Sequence, residues 1–179
     1  MGILCKMKQK LHLETLKTLY YCFIYPYFEY CLEVWGAAAQ TNLDIIIKIQ
    51  KKIVRIVKSV PPRTHTKPLF KELHFLTVDK LYIYKVMSFM YKYNCNCLPN
   101  VFNSMFTNNE DIHNYDTRQS RDLHLPIMRI LTTQKTIRFM GVKIWNIMKI
   151  NININLSIMC VKKLVKKYLL NTNTPIFTM

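Results

Sequence analysis

Leu13, Leu16, Leu19, Tyr20 and Phe23 recur at intervals of three and four residues, the spacing of one apolar helix face. Pro26 interrupts that face. A proline inside a helix removes a backbone hydrogen bond and clashes with the preceding turn, at a cost of about 3 kcal/mol, so two helical pieces are predicted to meet near Tyr25 to Tyr27. Gly36 and Ala37 to Ala39 end this unit. The pattern from Thr41 to about Lys58 is cleaner. Leu43, Ile46, Ile47, Gln50, Ile53, Val54 and Val57 share one side of a helix, and Lys48, Lys51, Lys52, Arg55 and Lys58 share the other. Pro61-Pro62 stops it. The segment from Pro68 to Leu76 reads as a short helix and turn, and Asp79 to about Tyr93 as a further helix with Thr77 as its cap.

Beyond Pro99 the character changes. Asn100 to Pro126 is polar, Asn-rich and without period, which predicts a long loop with short ordered pieces. Helical order is expected again over Lys135 to Lys149 and Ser157 to Leu170. Between them, Asn151-Ile152-Asn153-Ile154-Asn155 alternates as a strand would, yet its low complexity favours a linker. Trp35 and Trp145 are expected in the core.

At 179 residues, half of them hydrophobic, the chain has enough apolar material for one core, or one core with a small appendage. Its net charge of +16 points to polyanionic partners, nucleic acid or an anionic membrane surface. Part of the lysine excess fits an A/T-rich coding sequence, with its abundant Phe, Tyr, Met, Ile, Asn and Lys and only three Gly. Drift would scatter lysines, however, and several of these fall on defined faces. The last acidic residue is Asp122, after which come nine basic residues and no carboxylate.

The six cysteines are irregularly spaced and no secretory signal precedes them, so reduced thiols in an intracellular protein, nuclear or cytoplasmic, are expected. Thr18 to Phe28, the most hydrophobic stretch, offers only eleven uncharged residues before Glu29. A bilayer core of about 30 Å needs a longer helix, so no transmembrane segment is expected. Lys6 occupies the position where N-myristoylation favours Ser or Thr.

Several chemistries are absent. No Asp-Asp pair exists, and Glu110-Asp111 lies in the Asn-rich loop as a solvated pair. Gly2, Gly36 and Gly141 cannot build a phosphate-cradling loop. Cys95 and Cys97 with His113 or His124 match neither a zinc finger nor a knuckle, which leaves free thiols and no metal ligand.

Leu19-Tyr-Tyr-Cys-Phe-Ile-Tyr-Pro-Tyr-Phe-Glu-Tyr-Cys-Leu-Glu-Val-Trp-Gly36, followed by Ile49-Gln50-Lys51-Lys52-Ile53-Val54-Arg55, resembles the segment after the polymerase palm in jockey-like LINE reverse transcriptases. Gly2-Ile3-Leu4 with Lys6, Lys8 and Leu11 looks like the end of the segment preceding it. His113-Asn114-Tyr115-Asp116-Thr117-Arg118 resembles the family's His-x-Tyr-x-Thr-Arg signature. Gly141-Val142-Lys143-Ile144-Trp145-Asn146 is similar to its Gly-Pro-Lys-Ile-Trp-Asn, and Val161 to Leu170 to its closing Phe-Lys-Lys-x-Leu-Lys helix. The order is that of the family, over nearly the whole chain. Val142 for Pro, Met148-Lys149 for Leu-Pro or Ile-Pro and Cys160-Val161 for Phe depart from it, as a decayed copy would.

The resemblance implies a mainly α protein: a small helical, thumb-like bundle over residues 1–98, a polar connector over 99–134, and a basic region over 135–179 with one or two further helices. It implies RNA-directed DNA polymerase as the parent activity, with Mg²⁺ held by paired carboxylates in a palm this sequence lacks. No catalytic residue, metal site or cofactor is therefore assigned here. Binding of RNA or DNA backbone remains, through Lys48, Lys51, Lys52, Arg55 and Lys58, with nearby Tyr and Phe stacking on bases, and the missing polymerase domains as further partners. Arg118, with His113 and Tyr115, is read first as a loop anchor and second as a phosphate ligand. Lys162, Lys163, Lys166 and Lys167, opposed by Val161, Leu164, Val165 and Leu169, fit RNA contact, an anionic membrane surface or a solvated face. The rival readings are an inert or domesticated interaction protein with solvated basic faces, and a peripheral membrane binder.

Overall fold

The computed structural model describes residues 2–113, 117–148 and 156–172. The chain is mainly α, and among the described residues the only β pairing is an isolated bridge between Asn108 and Leu123. The helices are α1 (Gly2–Met7), α2 (Leu13–Phe23), α3 (Tyr25–Glu29), α4 (Leu32–Trp35), α5 (Gln40–Val57), α6 (Thr66–Leu73), α7 (Val78–Asn94), α8 (Leu131–Gln134), α9 (Ile137–Met148) and α10 (Ile158–Asn171). Two 3-10 turns, Asn100–Phe102 and Asn109–Asp111, punctuate the polar stretch between α7 and α8. The alternating Asn151 to Asn155 segment lies outside the described residues. No described helix is long and apolar enough to cross a membrane.

The chain divides into two compact units, residues 1–82 with 168 onward, and residues 83–167. In the first unit, α5 packs against α1, α2 and α6. The break expected around Pro26 falls at Ile24, and Pro26 sits in the first turn of α3, where its missing N–H has no helical partner to lose. One expectation needs correction. Leu16 and Tyr20 of the α2 face are buried, but Phe23 is 67% exposed. It is the last residue of α2, and Ile24 turns the chain away before the apolar face can be covered. Trp35 is half-buried rather than fully enclosed, its indole N–H donating to the Tyr30 carbonyl at 2.6 Å.

Gln50 lies among the apolar residues of α5 and is fully buried with them. Its amide N–H donates to the Leu76 carbonyl at 2.8 Å and lies 3.5 Å from the Tyr20 hydroxyl, while its carbonyl accepts the Val78 N–H at 3.0 Å. Val78 opens α7, so a side chain from α5 satisfies one of the amides that every helix start leaves without an internal acceptor. Tyr20 also stacks on Phe75, ring centroids 4.2 Å apart. In the first turn of α7, the Lys80 ammonium donates to the carbonyls of Leu169 and Thr172 at 2.6 and 2.7 Å, closing the final turn of α10. Desolvation, then the charge of Lys71, lowers its pKa.

The second unit buries Val86, Met87 and Met90 of α7 and Val142, Ile144, Trp145 and Met148 of α9. Gly141 allows close approach, since a Cβ there would lie 2.9 Å from the Met90 sulfur. Asn146 of α9 holds Leu123 by both its backbone groups, accepting its N–H at 3.3 Å and donating to its carbonyl at 2.8 Å. Tyr91 donates to the Leu156 carbonyl ahead of α10.

Candidate nucleic-acid interface

The basic stripe of α5 exists because the opposite face is fixed. Leu43, Gln50, Ile53, Val54 and Val57 are buried, and this sets the rotation of an 18-residue helix about its axis. Lys48, Lys51 and Lys52 consequently point to solvent. None makes a hydrogen bond or ion pair among the described residues. Lys51 is close enough to Asp79 to act on its carboxyl, whose pKa is raised chiefly by desolvation, against its own backbone hydrogen bond and the field of Lys51.

The stripe is not uniform. Arg55 is half-buried and its Nε donates to the Thr64 carbonyl at 2.9 Å, bracing the turn after Pro61-Pro62. Lys58 pairs with Glu72 of α6 at 2.8 Å. A phosphate at either position would compete with a partner already in place, whereas Lys48, Lys51 and Lys52 have no such partner among the described residues. A rise of about 1.5 Å per residue puts Lys48 and Lys52 roughly 6 Å apart along the axis, one phosphate step of an extended strand.

Aromatic side chains of the same unit are also open to solvent: Phe23 is 67%, Tyr27 81% and Tyr30 78% exposed. From Thr18 to Ile47 there is no lysine or arginine, and the charges there are Glu29, Glu33 and Asp44. Phosphate contact therefore falls to the second half of α5. Tyr20 and Tyr21, by contrast, are committed to Phe75.

The remaining candidates belong to the other unit. Arg118 is exposed in the turn that follows the undescribed residues 114–116, so Tyr115 lies outside the described residues. On α10, Lys163 and Lys167 are exposed and Lys162 and Lys166 half-buried, flanking buried Val161 and Val165. Met159 and Leu164 are exposed on the same helix, at 62% and 45%. All six cysteines are free thiols, and among the described residues no group of three or more His, Cys, Asp or Glu converges as a metal site would require. His124 instead faces the Asn109 side-chain oxygen through Nδ1, at 3.2 Å.

Arg138, on α9, is one of the nine basic residues beyond Asp122. Its Nε lies 3.4 Å from the Met105 carbonyl, placing a cation at the edge of the Asn-rich loops. Nothing in the spacing of a lone arginine on α9 announces that position. No protein-family model, no curated protein and no solved structure matches this chain. The likeness to LINE reverse transcriptases accordingly rests on the motif residues alone.

Proposed function

We propose that this chain binds RNA or DNA through the phosphate backbone without reading sequence, as the thumb and downstream region of a LINE-type reverse transcriptase would do. The observation that carries the reading is the trio Lys48, Lys51 and Lys52, exposed and without ion-pair partners on a helix whose rotation is locked by burial. Cations held at helical spacing displace condensed counterions from a phosphate chain, and this entropy gain drives binding. These 179 residues contain no Asp-Asp pair, so the activity proposed for them is binding.

The test is fluorescence anisotropy with unrelated labelled RNA and DNA strands, for the full chain and for the Lys48→Gln/Lys51→Gln/Lys52→Gln variant. Three lost single-strand contacts should flatten the salt slope by about 2.1, so that the wild type loses roughly 20-fold more affinity than the variant between about 50 and 200 mM salt. Equal affinity and equal slope in the two proteins would refute the assignment to α5.

A second reading is favoured by one observation, the exposure of Met159, Leu164 and Tyr168 beside Lys163 and Lys167 on α10. Apolar and cationic side chains together suit an anionic membrane surface. Sedimentation with phosphatidylserine vesicles, lost on Leu164→Glu, would establish it; no sedimentation would dismiss it.

A further inference from the structure

The solvent face of α5 carries more than lysines. Ile45 is 59% and Ile49 38% exposed, on a helix whose opposite side is already committed to the core. At about 100° per residue, Ile45 points roughly 140° away from buried Gln50, so packing in the core does not account for it. Lys52 lies only about 20° from Ile45 around the axis and about 60° from Ile49, and Lys48 about 60° from Ile45.

The face therefore holds an apolar row, Ile45 and Ile49, with the cations Lys48, Lys51 and Lys52 along its edge. Ile45 to Ile49 and Lys48 to Lys52 are each one helical turn, a rise of roughly 6 Å. Asp44, exposed one turn before Lys48 and accepting the Gln40 amide at 2.8 Å, bounds the cationic band on its N-terminal side.

A duplex makes poor use of this arrangement. Its base faces are stacked inward, so two aliphatic side chains set beside its phosphates meet sugar and water. Cations by themselves favour the duplex, which releases more counterions per phosphate than a single strand does. An unpaired strand instead presents open base faces next to its phosphates, and these accept stacking and apolar contact. Phosphates on the lysine band and bases on the isoleucine row then advance together, about one nucleotide per helical turn.

We propose that α5 takes a single strand lengthwise in preference to a duplex, with phosphates on Lys48, Lys51 and Lys52 and unstacked bases against Ile45 and Ile49. This rests on the backbone-binding reading above and narrows it to unpaired strands. All five residues lie on one helix of the first unit.

The experiment titrates the full chain with three labelled probes at about 200 mM salt, where phosphate attraction is weakened and apolar contact is not. The probes are an RNA strand without self-complementarity, an abasic strand of the same length, and the first strand annealed to its complement. The wild type should bind the single strand about tenfold more tightly than the abasic one, the lower end of what covering one isoleucine side chain supplies. It should also bind the single strand more tightly than the duplex. Ile45→Ala/Ile49→Ala should bind both single strands equally, at the wild-type abasic affinity. Both sites are exposed and alanine is the better helix former, so this variant is expected to keep the wild-type circular dichroism spectrum. Should it lose that spectrum, Ile45→Ala alone carries the test and must lose part of the preference. Equal wild-type affinity for the single and abasic strands overturns the isoleucine row and leaves backbone binding intact. So does a duplex bound as tightly as the single strand, or a preference that survives in the alanine variants. Binding to none of the three probes overturns backbone binding and the isoleucine row together.

Discussion

Replacing Gln50 by leucine tests whether the polar residue inside the α5 apolar face organises the first unit or merely fills it. The two side chains are close in volume, and the site is fully buried, so the substitution changes bonding more than packing. It removes the acceptor of the Val78 N–H and the donor to the Leu76 carbonyl, both enclosed. Each buried backbone group left without a partner costs about 1–3 kcal/mol. Burial of a leucine returns about 1.5–3 kcal/mol. At the centre of these ranges the variant is destabilised by about 2 kcal/mol, which for a chain of this size lowers the melting temperature by roughly 4–8 °C. Thermal denaturation followed by circular dichroism reads this directly. A variant melting at or above the wild-type temperature would mean that the two backbone groups find other partners, and that Gln50 is not the cap of α7.

Further outcomes follow from the same structure. Gly36→Ala should destabilise by about 1–3 kcal/mol, because its Cβ would collide with the Tyr82 ring and lie 2.5 Å from the Leu32 carbonyl oxygen. Gly141→Ala, whose only close contact is the flexible Met90 side chain and which gains helix propensity, should be near neutral when both variants are unfolded in urea. Burial pushes the hydroxyls of Tyr20 and Tyr82 up to about 12 from the ordinary 10.0. A pKa raised in the folded state gives stability that is complete below the unfolded value and is lost as pH climbs. The melting temperature should therefore fall between about pH 10 and pH 12. A flat profile across that window would contradict the burial of the two hydroxyls, and Tyr82→Phe should lessen the fall. Lys80→Met should fray the last turn of α10, seen as faster amide exchange around Leu169 to Asn171, with unchanged exchange in α9.

Much of the helical layout is legible in the sequence. The three- and four-residue spacing marks α2 and α5, Pro26 and Pro61-Pro62 set their limits, and α7 and α10 fall within a residue or so of the expected spans. α1 and α8 have no comparable signal, since six- and four-residue helices are too short to show a period. The side-chain partners are the less legible part. Lys58 and Arg55 read as members of a free stripe, yet their partners Glu72 and Thr64 come from the segment after the proline pair, whose return path no local pattern specifies. Gln50 looks like a polar intrusion in an apolar face until the start of α7, 28 residues later, is brought against it. The Asn-rich stretch reads as a long loop with short ordered pieces, and the bonds that fix it come from Tyr93 and Asn146 on flanking helices and not from any repeat within it.

The clasp between Lys80 and the last turn of α10 has a consequence for synthesis. The first unit draws on residues from both sides of the second, so a ribosome must complete the intervening segment, Ile83 to Lys167, before Lys80 can meet its acceptors. At roughly 5–20 residues per second this delay is on the order of ten seconds. During that interval the nascent first unit waits with Lys80 hydrated and its clasp open, while the second unit is still being made.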